Sequence, residues 1–318
     1  MRAATIVHGA IVVKEHPDPV PGLGEVLVRV RAAGLNSADL MQRSGFYPAP
    51  PGSPADIPGL ELAGEVVASG PGSTRFAVGD RVVALVGGGG QAELAVVHER
   101  AAMPLPVGIE WAEAGGFPET FTTAHDALFT QCGLQLGEKV CVHGAAGGVG
   151  TAAVQLAAAA GAWVTATVRN EALREAVADL GSAAGWTEVV APEVFAEHGP
   201  FDVILELVGA PNFAADLGAL ETGGRISIIG VGGGAIAELN LLALMGKRAR
   251  IHGSTLRSRP LEEKAEAARR LERSVLPLLE AGDVRVPVEA TFPLDEVEAA
   301  YQRFAEGGKL GKIVLVLE

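Results

Sequence analysis

The residues best suited to chemistry by type and spacing are glycines. Residues 140–150 read Val140-Cys141-Val142-His143-Gly144-Ala145-Ala146-Gly147-Gly148-Val149-Gly150. An apolar run enters a turn built from residues with little or no side chain and leaves into an apolar, helix-forming stretch. Such a turn lets the backbone approach a pyrophosphate, whose charge is met by the N–H groups and dipole at the start of the following helix. Strand before, helix after and a second strand closing the unit are the context that a dinucleotide fingerprint requires. Ala145 stands where the first glycine of the usual pattern would be, which leaves Ala146, Gly147, Gly148, Val149 and Gly150 to contact the phosphates. About 20 residues beyond such a motif an acidic side chain would accept hydrogen bonds from a ribose 2′-hydroxyl. Arg169 lies there instead, 19 residues beyond Gly150, and a guanidinium offers a charge-assisted grip on a 2′-phosphate. The pattern points to NADPH rather than NADH, with Arg174 as a second candidate. The plainer readings are a glycine turn that only permits tight packing and two arginines that only solvate a helix end.

A parallel sheet is needed to present these residues. From Pro118 onward the pattern predicts a helix over 121–129, a strand over 139–142, a helix over 149–160, a strand over 163–168, a helix over 171–180 and strands over 203–206 and 225–229. Strands alternating with helices make a doubly wound α/β sheet. The earlier part is β-rich. Val26, Val28 and Val30 alternate with Leu27, Arg29 and Arg31, and further short strands are expected over 62–68, 81–86 and 92–97. Their Gly, Pro and Asp boundaries suggest a small antiparallel barrel. A charged helix over 262–280 and a strand over 312–317 follow the sheet, so the β-rich domain is expected to be discontinuous, 1–121 with 260–318, around a cofactor domain over 122–259. Gly87 to Gly90 reads as a loop.

Composition removes several partners. The chain has 318 residues and a net charge of −13, and no basic run supplies the counterion release that drives nucleic-acid binding. Anionic membrane surfaces are excluded on the same ground. The uncharged stretch over 140–168 could span a bilayer by count, but its glycines divide it into strand, turn, helix and strand. The first residues lack the long apolar segment and cleavage site of a signal peptide. Two cysteines, Cys132 and Cys141, are too few for a disulfide framework or a four-cysteine zinc lobe, which favours a reducing, cytoplasmic setting. The seven histidines form no HxxxH pair and read as surface or satisfied core residues.

Several separated blocks, in matching order over the whole chain, resemble the zinc-independent quinone oxidoreductases of the medium-chain dehydrogenase/reductase superfamily, and most closely the p53-inducible quinone oxidoreductase branch. They are Gly34-Leu35-Asn36-Ser37-Ala38-Asp39-Leu40-Met41-Gln42-Arg43-Ser44-Gly45-Phe46-Tyr47, Pro58-Gly59-Leu60-Glu61, Phe117-Pro118-Glu119-Thr120-Phe121, His143 through Gly150, and Gly253-Ser254-Thr255-Leu256-Arg257-Ser258-Arg259. The resemblance implies a GroES-like β-barrel catalytic domain and a Rossmann cofactor domain. Asn36 sits where the superfamily's alcohol dehydrogenases have a cysteine zinc ligand, Leu60 where they have a histidine, and no cysteine stands near Gly115, so no metal is expected. NADPH is implied in the cleft between the domains, with Asn36, Tyr47 and Thr123 the polar groups nearest the chemistry. Gly230-Val231-Gly232 looks like a second cofactor loop, with Leu256 close by, and the strand near 250–256 resembles an edge that pairs across a homodimer.

Plainer roles exist for these residues too. Asn36 suits a helix cap, and the glycines from Gly230 suit an ordinary turn. Without a metal, the acceptor must already be electrophilic. A quinone is, because its reduction yields an aromatic hydroquinone. Tyr47 lies in an irregular segment, whereas Tyr301, the other tyrosine, falls in a late helix where packing explains it. In related 2-enoyl thioester reductases a tyrosine in the matching segment supplies a proton, which makes an enoyl thioester or alkenal reductase the first alternative. A non-catalytic NADPH-binding protein is the second.

Overall fold

The computed structural model describes residues 1–182 and 186–318. The chain forms two compact units, Met1–Thr122 with Leu256–Glu318, and Thr123–Thr255.

In the first unit, β1 (Arg2–Val7) and β2 (Ala10–Glu15) form a hairpin. Its two-residue turn has positive φ at both His8 (49°) and Gly9 (81°), the geometry that matches the twist of the flanking strands. The central strand is β3 (Glu25–Gly34), whose Val26, Val28, Val30 and Ala32 are fully buried, as the period-two alternation requires. After α1 (Ser37–Arg43) come β4 (Glu61–Ser69), β5 (Arg81–Leu85), β6 (Leu94–His98), β7 (Ala102–Pro104) and α2 (Trp111–Gly115). One edge of β3 pairs with β4; the other is shared, its first half by β6 and its last three residues by the final strand of the chain. The helix α3 (Pro118–His125) begins in this unit and ends in the next.

The second unit holds β8 (Lys139–Val142), α4 (Gly148–Ala159), β9 (Trp163–Thr167), α5 (Arg174–Gly181), β10 (Trp186–Val190), β11 (Phe201–Glu206), α6 (Ala210–Ala219), β12 (Leu220–Ile228), α7 (Leu241–Lys247) and β13 (Arg250–Gly253). Its sheet runs β10-β9-β8-β11-β12-β13 with every pairing parallel. The order reverses between β8 and β11, and ligands bind open α/β sheets beyond the carboxyl ends of the strands at such a point. The chain then returns to the first unit with α8 (Leu261–Ser274), α9 (Leu276–Ala281), β14 (Val288–Pro293), α10 (Val297–Glu306) and β15 (Lys312–Val316). Strand β15 inserts between β14 and β3. Tyr301 of α10 is 1% exposed in the first unit's core, and its hydroxyl donates to Gln91 Oε1 at 2.9 Å.

Four local departures from the sequence pattern have physical causes. The helix expected over 121–129 is α up to His125 and then a π-helical turn over Asp126–Gln131. The helix expected over 262–280 breaks at Val275, because Pro277 in the first turn of α9 has no N–H to give and its ring crowds the preceding turn. Strand β10 has an exposed Trp186 followed by four half-buried residues rather than an alternation, so it carries no period-two signal. The first unit also takes Leu256, expected in the cofactor domain: it is buried against Leu85 and Ala267. Among the described residues no helix is long and apolar enough to cross a membrane.

Candidate active site

In the second unit the glycine turn joins β8 to α4. Gly144 has φ +63°, and a Cβ at Gly150 would stand 2.5 Å from the Gly144 oxygen and 2.6 Å from Ala145 Cα, so only glycine lets the helix start this close to the turn. The cap residue Gly147 supplies no side-chain cap and the first turn holds no acid. The leading N–H groups of α4, from Gly148 and Val149, are thus open to an anion. Ala146 is half-exposed on the same turn. Arg169, directly after β9, is exposed and forms no ion pair or hydrogen bond among the described residues, whereas Arg174 is half-buried and donates to the Val168 oxygen at 3.1 Å.

The loop after β12 lies beside the loop after β11. Gly230 N–H donates to the Glu206 oxygen at 3.1 Å, Gly233 N–H to the Val208 oxygen at 2.8 Å, and Ala210 N–H to the Gly234 oxygen at 2.9 Å. The Glu206 carboxyl, pushed up by burial, accepts from the N–H groups of Val208 and Gly209 and from Asn212 Nδ2. This leaves Val231 and Gly232 exposed on the same sheet edge as the glycine turn. Beneath it His143 is fully buried, with Nε2 2.9 Å from Asp216 Oδ1 and Nδ1 3.1 Å from Thr167 Oγ1. His143, Glu206 and Asp216 form a group spaced as metal ligands could be. Glu206 is already engaged by backbone donors and none of the three reaches the surface, so the group reads as a polar core in which only Asp216 Oδ2 lacks a partner among the described residues. Burial pushes the Cys132 thiol up to about 11 and Cys141 well above the usual range, which makes both inert.

The first unit carries a different cluster, made of side chains. Asn36 is the N-cap of α1, and one capping contact comes from Asp39, whose Oδ2 accepts the Asn36 N–H at 2.8 Å. The Asn36 side chain also completes a capping box toward the Asp39 backbone and reaches other partners. Its Oδ1 accepts from Lys312 Nζ at 2.8 Å, and its Nδ2 donates to Glu61 Oε1 at 2.9 Å. Lys312 also donates to Glu61 Oε1 at 2.7 Å and to the Leu35 oxygen at 2.6 Å, and the Lys312–Glu61 pair is almost wholly buried. Glu61 Oε2 accepts the backbone N–H of Glu119 at 2.8 Å. Burial raises Asp39 to about 6, against the N–H groups of Asn36 and Gly59 that favour its charged form. Burial, helped by the Glu61 charge, raises Glu119 to about 8.

Tyr47 stands at the edge of this cluster. The Arg257 guanidinium lies 5.2 Å from its ring centroid and donates to the Tyr47 oxygen at 2.9 Å, to the Gly87 oxygen at 2.7 Å and to Gln42 Oε1. A Cβ at Gly87 would meet Ser53 Oγ at 2.4 Å, so the glycine stretch expected as a loop is one, but a buried one. The Tyr47 hydroxyl is pushed up by burial and has no hydrogen-bond partner among the described residues. Asn36 and Tyr47 thus share a unit. Thr123 is half-buried and belongs to the second, and the Leu256 side chain is committed to packing in the first. Asp39, Glu61, Glu119 and Arg257 stand within the motif blocks with no role visible from sequence, and Lys312 stands only at a strand end. The available signal was charge inside apolar segments: Glu61 between Leu60 and Leu62, and Lys312 before Ile313 and Val314.

A zinc ion does not fit the positions at which the resemblance puts its ligands. Asn36 is taken by an ammonium, Leu60 is a buried hydrocarbon and Gly115 has no side chain. A nicotinamide dinucleotide does fit, on the uncapped α4 terminus and the close-approach glycines.

Comparison with known proteins agrees with both halves. Residues 22–107 match the alcohol dehydrogenase GroES-like domain family, and residues 148–273 the family named zinc-binding dehydrogenase. The quinone oxidoreductase of Mus musculus is 32% identical over 94% of this chain and 91% of its own length. That of Pseudomonas aeruginosa is 33% identical over 95% and 94%. A solved structure described as an alcohol dehydrogenase superfamily protein from Novosphingobium aromaticivorans superposes with a TM-score of 0.86 at 29% identity, covering 100% of both chains. With its fold, its nucleotide turn and these relatives in agreement, the chain belongs to the quinone oxidoreductase family of the medium-chain dehydrogenase/reductase superfamily and is an oxidoreductase.

Proposed function

We propose that this chain is an NADPH-dependent quinone reductase that works without a metal. The observation that carries the reading is the Asn36–Lys312 contact at 2.8 Å, an amide oxygen already held by an ammonium where a metal ligand would otherwise stand. The Asn36 amide nitrogen is engaged too, by Glu61 and more loosely by the Gly34 oxygen. The Asn36 and Lys312 donors are therefore all engaged and leave neither free to polarise an ordinary ketone, and an acceptor that is already electrophilic suits the site best. Bound NADPH supplies the hydride. The α4 terminus would hold its pyrophosphate, Arg169 its 2′-phosphate with Arg174 anchoring the strand end behind, and Val231 and Gly232 would offer exposed backbone.

The test is an acceptor panel with both cofactors, with and without a chelator. The expected result is chelator-insensitive oxidation of NADPH by a simple quinone, with NADH much the poorer cofactor. Turnover of crotonyl-CoA or an alkenal alone, abolished in Tyr47→Phe, would install the enoyl or alkenal reductase reading, which the unpartnered Tyr47 hydroxyl favours. The working form we propose is a homodimer. Strand β13 is a sheet edge, and Leu241, Leu242 and Met245 on α7 are 64%, 78% and 71% exposed, a patch that a second copy would cover. The inert, unpaired Cys132 and Cys141 suit a reducing cytoplasm.

A further inference from the structure

We propose that strand β6 is a docking edge, on which an extended, acidic peptide segment adds as one further strand. The proposal stands apart from the quinone reading, and every residue it uses belongs to the first unit. Strand β6 pairs antiparallel with β3 and, among the described residues, with no other strand. Val30 N–H donates to the Glu93 oxygen at 3.0 Å, and Glu99 N–H to the Gly24 oxygen at 2.9 Å. Hydrogen-bonded pairs alternate in an antiparallel ladder. In this register Ala95 and Val97 therefore turn their backbone groups to β3, while Leu94, Val96 and His98 turn theirs the other way. Those outward N–H and C=O groups have no partner among the described residues.

A cavity of about 720 Å³ follows that edge, a volume in the range of sites that enclose a ligand. All five residues of β6, Leu94 through His98, line it. A cavity on the face of a strand would meet every second residue, so this one runs along the edge. Its other walls include Pro50, Pro54, Gly87 and the segment from Ser258 to Lys264. Proteins ordinarily guard an open edge with charge, proline or a bulge in the strand itself. Leu94-Ala95-Val96-Val97 carries neither charge nor proline, its register with β3 is unbroken, and Leu94 and Val96 remain half-exposed. With prolines in its wall, the edge admits a single extended segment more readily than the edge of a second folded sheet.

Charge sets the chemistry of the occupant. The chain has 38 acidic residues against 25 lysines and arginines, yet around this cavity the balance is reversed. Its cations are Lys264, Arg259 and the Met1 ammonium, and its one carboxylate is Glu25. Glu25 Oε2 already accepts the Gly22 N–H at 2.7 Å, and the Met1 ammonium is held by Asp18. The Lys264 ammonium forms no hydrogen bond or ion pair among the described residues. Backbone pairing would supply affinity, the apolar wall would take alternate side chains, and Lys264 with Arg259 would favour carboxylates on the added strand.

The test uses the whole chain and a fluorescently labelled hexapeptide of alternating valine and glutamate. Saturable binding is expected by fluorescence polarisation. Hydrogen exchange should slow at the amides of Leu94, Val96 and His98 and stay unchanged along β14, the edge strand at the far end of the same sheet. Backbone N-methylation of the peptide, which removes its donors and keeps its side chains, should abolish binding. Replacing its glutamates by lysine should weaken binding, and so should Lys264→Gln. Val96→Pro deletes an N–H that faces the cavity, at an edge position where proline is tolerated, and should weaken binding about tenfold with the melting temperature unchanged. If that variant does not fold, the N-methylated peptide decides the same point. No saturable binding, equal binding of the N-methylated or lysine peptide, or unchanged exchange along β6 overturns the proposal. A dimer of the chain that is lost in Val96→Pro also overturns it, by giving the edge to a second copy.

Discussion

In the second unit the polar groups left open are backbone N–H groups at the α4 terminus and an exposed arginine; in the first they are buried side chains that face one another. The α4 terminus and Arg169 carry partial or full positive charge in contact with water, so their attraction for a phosphate is set by distance and screened by salt. The Lys312–Glu61–Asn36 cluster is closed off from water, so each charge depends on its partners and losing one leaves another stranded. One region can be weakened by degrees, whereas the other is held together or fails. The open, charged α4 terminus and the closed Lys312–Glu61–Asn36 cluster should thus respond differently to mutation, salt and pH.

The largest effect expected from breaking this contrast is in Lys312→Met. It leaves the Glu61 carboxylate buried without its counter-charge, which costs about 3–5 kcal/mol, and the thermal midpoint should fall by several degrees or more. Adding Glu61→Gln to it should restore part of the loss, and a double variant no better than the single would show that the charge pair is not what fails. Next comes Arg169→Ala. Losing a charge-assisted contact to the 2′-phosphate, about 1.5–3 kcal/mol, should raise the KM for NADPH by roughly 10- to 100-fold while NADH and the melting temperature stay unchanged. High salt should imitate this variant and should not imitate Lys312→Met.

The smallest effect is the pH dependence of stability. Asp39 and Glu119 are raised to about 6 and about 8, so the folded chain binds their protons more tightly than the unfolded chain does. Stability therefore falls as pH rises, through the Asp39 range and then, from about 6 to 8, through that of Glu119. The lowered carboxyls of Glu93, Glu99, Glu138 and Glu262 act only in acid and leave the upper window clear. Glu206, also raised by burial, adds to the same fall, so thermal midpoints measured across that window should decline in wild type and decline less in Glu119→Gln.

The nucleotide turn was legible because its parts are contiguous: strand, turn, helix and Arg169 fall within one βαβ stretch, where spacing along the chain is also spacing in the molecule. The barrel cluster was not, because Glu61 and Lys312 are 251 residues apart, and Arg257 and Gln42 215. No local period connects such pairs. Asn36 shows the middle case. Its position as a helix cap was readable, but its contact with Lys312 was not, since that partner comes from a strand at the far end of the chain. Helix α7 carries no buried residue and so lacks the amphipathic signal by which the other helices announce themselves.

The 251-residue separation of Glu61 and Lys312 also orders events during synthesis. A ribosome adding about 5–20 residues per second delivers Lys312 roughly 10–50 s after Glu61. Throughout that delay a closed barrel would enclose a carboxylate with no cation to answer it, an arrangement costly enough to keep it open. The parallel sheet, complete by Gly253, has no such wait. The nascent chain should therefore fold from its middle outward, with the barrel closing last and the Lys312–Glu61 pair forming only after the glycine turn is already in place.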